Sequence, residues 1–110
     1  MPSFRASAAI IEVLPGVDPP AVLAAARASV ANTWQVEDSF VDVEPLARGT
    51  GSPRVTVRFV VPTGNDDEED RIAWLAAKAL AAGLSPVATW TNLRVFRRDR
   101  GRWLPVERPP

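Results

Sequence analysis

Residues 54–61 read Arg-Val-Thr-Val-Arg-Phe-Val-Val. Val55, Val57, Phe59 and Val61 alternate with Arg54, Thr56, Arg58 and Val60. Period-two alternation of β-branched and aromatic residues predicts a strand with one buried face. The remaining elements can be placed around it.

Upstream, Val36 to Glu44 reads as a second strand. Val41 and Val43 lie on one face, with Phe40, Asp42 and Glu44 on the other. Gly49-Thr50-Gly51-Ser52 is a loop signal that would join these two strands as a hairpin. Downstream, Pro62-Thr63-Gly64 stops the organising strand. Asn65 can cap a helix, with Glu68 three residues later completing a capping-box pattern. That helix is predicted to run to about Ala82, with Gly83 as its stop and Ile72, Leu75, Ala76, Ala79 and Leu80 as its buried stripe. Val87 to Arg98 reads as a further strand. Thr89, Thr91, Leu93 and Val95 share one face; Trp90, Asn92, Arg94 and Phe96 share the other. Asp99-Arg100-Gly101 is a turn, from which Arg102 to Val106 returns as a short strand. Glu107 to Pro110 reads as a frayed tail.

At the start of the chain, Phe4 to Val13 is apolar on both faces. Phe4, Ala6, Ala8 and Ile10 make one side, and Ala9, Ile11 and Val13 the other. Such a strand belongs in the centre of a sheet. Its parity is open, because a slip of one residue exchanges its faces. Asp18 and Pro19 then begin a helix that reaches about Thr33, with Val22, Leu23, Ala26, Val30 and Thr33 on one stripe.

The order is β-α-β-β-α-β with a terminal hairpin, the split βαβ or ferredoxin-like arrangement of the α+β class. Right-handed crossovers would put both helices on one face of an antiparallel sheet. The expected strand order is 4-1-3-2, with the fifth strand beside the fourth. With 110 residues the chain is enough for one domain and too short for two.

Composition excludes several chemistries. There is no Cys, His or Tyr, so metal sites built on imidazole or thiolate, Cys nucleophiles and His-based triads are ruled out. No cofactor is implied. Thirteen basic residues balance thirteen acidic ones, which argues against a nucleic-acid or membrane partner. The bases are twelve Arg and one Lys, a bias that with the many Ala and Pro fits a GC-rich bacterial genome. No apolar run approaches the roughly 20 residues of a membrane span, and the N-terminus lacks a signal-peptide pattern, so a cytoplasmic protein is expected.

Four constellations bear on function. Asp66-Asp67-Glu68-Glu69-Asp70 could hold a hard cation, but without calcium-loop spacing it reads as a helix first turn complementing the macrodipole. The Arg48 to Arg54 loop could cradle an anion, yet it leads into a strand and not into a helix. Arg94, Arg97, Arg98, Arg100 and Arg102 with Trp90, Phe96 and Trp103 could stack single-stranded nucleic acid. Trp74 falls nearly opposite the apolar stripe of its helix, which marks it either as an outward contact residue or as part of a core reached through a neighbouring element.

Two functional expectations follow. The first is an interaction module without enzymatic activity, a homodimer or a protein-partner complex formed through the open sheet face by Phe4, Ile10, Trp90, Arg94 and Phe96, or through Trp74 on the helix surface. The second is a small-molecule-binding protein or simple enzyme that uses Arg58, Arg94 and Trp90 beside a cavity, with Asp42 or Glu44 as acid or base.

Overall fold

The computed structural model describes residues 1–44 and 51–110, apart from the side chain of Glu44. Residues 48–50 of the glycine-rich loop therefore lie outside the described residues. The elements are β1 (Ser3–Val13), α1 (Pro19–Ala31), β2 (Gln35–Glu44), β3 (Ser52–Val60), α2 (Asp66–Leu84), β4 (Ala88–Asp99) and β5 (Arg102–Pro105). The strands form one antiparallel sheet in the order β2-β3-β1-β4-β5. From the opposite edge the same order is β5-β4-β1-β3-β2, with β3, β1 and β4 in the interior. The protein is α+β, and no helix among the described residues is long and apolar enough to cross a membrane.

The alternation of β3 sets the two layers. Val55, Val57, Phe59 and Val61 are buried with Val22, Ala26 and Val30 of α1 and with Ala73, Trp74, Ala77, Leu80 and Leu84 of α2. Phe4 stacks on Phe59 with ring centroids 6.3 Å apart. Both helices thus pack on one side of the sheet. Burying these side chains contributes roughly 1.5–3 kcal/mol for each large one.

Phe4, Ala6, Ala8 and Ile10 belong to this helix-side core, which corrects their placement on the open face. The polar members of β1 decide its parity: Arg5 and Ser7 turn away from the helices, opposite Arg58 and Thr56 of β3. A second correction lies in β4. Arg94 pairs with Ser7 and Thr91 with Ala9, so Asn92 and Leu93 together oppose Ala8. This is a β-bulge, and Asn92 carries it at φ 58°, a left-handed conformation that Asn tolerates better than most residues. The extra residue reverses the parity of the strand. Trp90 is half-buried against the core and donates its indole N–H to the hydroxyl of Ser85 at 3.2 Å. It therefore lies on the helix side, whereas Arg94 and Phe96 face the other way.

Local signals act as chemistry requires. Asn65 Oδ1 accepts the Glu68 backbone N–H at 2.9 Å, and Asn65 Nδ2 donates to Glu68 Oε1 at 2.8 Å. Asp18 occupies the N-cap position of α1 but makes no side-chain cap bond. Arg100 and Gly101 both have positive φ, 50° and 82°, as a two-residue hairpin turn demands. The tail is not free of the fold: the Val106 N–H donates to the Val95 carbonyl at 2.9 Å, and the Arg108 guanidinium lies 4.9 Å from the Trp74 ring centroid.

α2 is rotated from its expected stripe. Ala73, Trp74, Ala76, Ala77, Leu80 and Leu84 are buried, while Leu75 is exposed. Trp74 is therefore core, not an outward anchor. Gly83 also departs from expectation. It lies inside α2, where an added Cβ would meet Ser29 Cβ of α1 at 2.5 Å and the Ala25 carbonyl oxygen at 3.2 Å. Gly83→Ala gains about 1 kcal/mol of helix propensity but forces α1 and α2 apart. A net loss of about 1–2 kcal/mol is expected, since overpacking costs about 1–3 kcal/mol. A urea melt checks this, and a stabilised variant would refute the close approach.

Candidate functional site

The helix-free face is built from the polar positions of four strands, with Trp103 added from β5. β3 contributes Arg54, Thr56 and Arg58. β2 sets Asp42 opposite Arg54, Phe40 opposite Thr56 and Asp38 opposite Arg58. β1 contributes Arg5 and Ser7, and β4 sets Phe96 opposite Arg5 and Arg94 opposite Ser7. Trp103 pairs with Arg98 and leans inward across the sheet. Its ring centroid is 4.1 Å from the Arg5 guanidinium carbon, 5.3 Å from that of Arg58 and 5.2 Å from that of Arg98.

Two of these cations are held by carboxylates. Arg54 forms a fork on Asp42, with Nε to Oδ1 at 2.9 Å and Nη2 to Oδ2 at 2.7 Å. These bonds hold the Asp42 carboxyl below its usual range against the opposing effect of burial. Arg58 Nε donates to Glu37 Oε1 at 3.0 Å, and the Ser3 hydroxyl donates to the same oxygen at 2.6 Å. Glu37 sits low first because of Ser3 and then Arg58. A general acid or base works best with a pKa near the working pH. Asp42 is thus placed as an anchor for Arg54 and is poorly suited to proton transfer.

Arg5 differs. It lies directly across from Arg58, a like-charge pairing that is unfavourable in itself. Among the described residues it forms no ion pair. Phe40, from the β2 side, has its ring centroid 5.1 Å from the guanidinium, and Trp103 approaches from the β5 side. Burial, then the charges of Arg58 and Arg98, lower its pKa from the ordinary arginine value. Its Nε is buried without a hydrogen-bond partner, as is the hydroxyl of Ser7, a residue only 1% exposed. Buried polar atoms are nearly always satisfied, so two orphans side by side on one strand call for a cause. Both residues line a cleft of about 210 Å³ together with Phe40, Asp42, Arg54, Thr56, Phe96 and Trp103.

Of the sequence-predicted site residues, Arg58, Arg94, Phe96 and Asp42 share this face. Phe4, Ile10 and Trp90 lie on the helix side, and Trp74 is buried beneath the tail. The side chain of Glu44 is outside the described residues. Sequence reasoning missed Arg5 and Ser7 as site residues. Their signal was present as two polar residues, two apart, within the otherwise apolar run from Phe4 to Ile11. The acidic run of α2 serves a different end: Asp66, Glu69 and Asp70 surround Arg97. Among the described residues no group of three or more carboxylates is placed to hold a metal ion.

Comparison with known proteins finds no matching family, no matching curated protein and no matching solved structure. The lining of the cleft sets the guanidinium groups of Arg5 and Arg54, the Asp42 carboxylate and the hydroxyls of Ser7 and Thr56 among the rings of Phe40, Phe96 and Trp103.

Proposed function

We propose that this chain is a ferredoxin-like split βαβ domain that binds a small anionic ligand in the cleft on the helix-free face of its sheet. The observation that carries this reading is that Arg5 Nε and the Ser7 hydroxyl are both buried without a hydrogen-bond partner, on two residues that line one cleft. An anion accepting from both would satisfy them, and charge-assisted bonds of this type are the stronger class of hydrogen bond. Self-association through this face has less support. Phe4 and Ile10, which motivated it, are core residues of the helix side.

Arg5→Met tests the reading, because Met preserves length and ring contact while removing charge and donors. In the free protein the substitution is expected to leave stability within about 0.5 kcal/mol of the original, since it also relieves the repulsion from Arg58. Formate, acetate and inorganic phosphate, titrated by NMR, should shift the amides of Arg5, Ser7 and Thr56 saturably in the unaltered protein. The shifts should weaken with added salt and vanish in Arg5→Met. Perturbations spread evenly over all arginine-bearing strands, or none at the cleft, would refute the proposal.

A further inference from the structure

The chemistry of the cleft narrows the ligand further, on the footing that it is an anion site at all. We propose that the ligand is an aromatic monocarboxylate: one flat ring bearing one carboxylate.

The charges at the cleft argue for a single negative charge. Arg54 is matched by Asp42 and Arg58 by Glu37. Arg98, although near Trp103, is exposed to solvent. Within the cleft lining Arg5 is the partly buried arginine that forms no ion pair among the described residues, and Asp42 already places a carboxylate there, so a monoanion is favoured and a dianion would face that carboxylate. The donor geometry argues for a carboxylate. Nε is the unpartnered nitrogen of Arg5, and Nε–H with a neighbouring Nη–H forms the planar fork that a carboxylate accepts side-on. The Ser7 hydroxyl, on the same face two residues along, adds a third donor. The walls argue for an aromatic body. Phe40, Phe96 and Trp103 line the cleft, and aromatic rings pack against one another with a geometric preference beyond area alone. Size sets the upper limit: about 210 Å³ falls below the roughly 300–1,000 Å³ of pockets for drug-sized ligands, which favours one ring over two.

Three probes separate the possible outcomes: benzoate, phenyl phosphate and benzyl alcohol, each titrated by NMR with the Trp103 indole and the Ser7 amide as reporters. Benzoate is expected to bind at least about tenfold more tightly than benzyl alcohol, a difference of about 1.4 kcal/mol. Arg5→Met should remove that advantage and leave the weak binding of benzyl alcohol unchanged. Ser7→Ala, which should fold because it removes only an unsatisfied hydroxyl, should weaken benzoate severalfold. Phenyl phosphate binding more tightly than benzoate would overturn the carboxylate assignment while preserving the anion site. Acetate binding as well as benzoate would overturn the aromatic assignment, again with the anion site intact. Equal binding of benzoate and benzyl alcohol, or no saturable shift at either reporter, would overturn this inference, and with simple anions also silent the anion-site reading would fall with it.

Discussion

Trp74→Ala is expected to lower stability by about 3–5 kcal/mol, the range for removing a large aromatic from a core. Trp74 is 6% exposed and belongs to the same buried cluster as Ala73, Ala77, Leu80 and Val95. Its neighbours on α2 are largely alanines, too short to fill the space it would vacate. The tail cannot readily collapse inward either, because Val106 is tied to the Val95 carbonyl. A small domain has only about 5–15 kcal/mol of net stability, so the loss should be plain as a urea midpoint lowered by more than about 1 M. Trp74→Phe provides the contrast. The indole N–H of Trp74 is buried without a partner, so replacing it retains an aromatic ring and removes an unsatisfied donor. That variant should stay within about 1–2 kcal/mol of the original. A Trp74→Ala midpoint near that of the unaltered protein would show that the ring contributes little to the core.

The position of Trp74 illustrates which parts of the fold were legible. β3 was, because Val55, Val57, Phe59 and Val61 fall on one face and both arginines on the other. The start of α2 was, because Asn65 and Glu68 are spaced to bond each other. The Arg100-Gly101 turn was, because Gly101 follows Asp99 and Arg100 between two strand-like runs and adopts positive φ without strain. The rotation of α2 was not: with alanine on several sides of the helix, apolar contrast is too weak to choose between a stripe through Leu75 and one through Trp74. The helix-free face was obscured for two further reasons. From Phe4 to Ile11 β1 is apolar on both sides except at Arg5 and Ser7, so its parity there rested on two residues. The bulge in β4 has neither Gly nor Pro to mark it, and one extra residue at Asn92 moves Trp90 to the opposite face from Arg94. The cleft requires both facts at once. Its chemistry is carried by individual residues, whereas its assembly depends on two register choices that local patterning leaves open.

Arg97→Met should be the most pH-sensitive substitution. Arg97 projects from β4 on the helix side, its guanidinium 4.7 Å from the Phe4 ring centroid. Nη1 donates to Glu69 Oε1 at 2.8 Å, and Nη2 to Asp70 Oδ1 at 2.7 Å. Glu69, with a side chain 6% exposed, also accepts the Gly64 N–H at 2.9 Å. One cation thus fastens the first turn of α2 to β4. For Arg97 itself burial opposes the charge, and the bonds to Glu69 and Asp70 outweigh it, raising its pKa. The Gly64 N–H and then Arg97 hold Glu69 below the usual carboxylate value. A depressed carboxylate adds stability that is fully present above its unfolded pKa, about 4.3, and is lost as pH falls through the folded value. Arg97→Met leaves a buried carboxylate without its cation, which typically costs about 3–5 kcal/mol. The lower end is expected at pH 7, because Gly64 still donates to Glu69 and Asp66 and Asp70 can turn to water. In acid Glu69 is protonated in both proteins and the missing cation no longer matters. The difference in urea midpoint between the two should therefore be largest near neutrality and shrink steadily below about pH 4. A difference that stays constant across that window would mean that Arg97 acts through its packing on Phe4, and the electrostatic account of this clamp would fail.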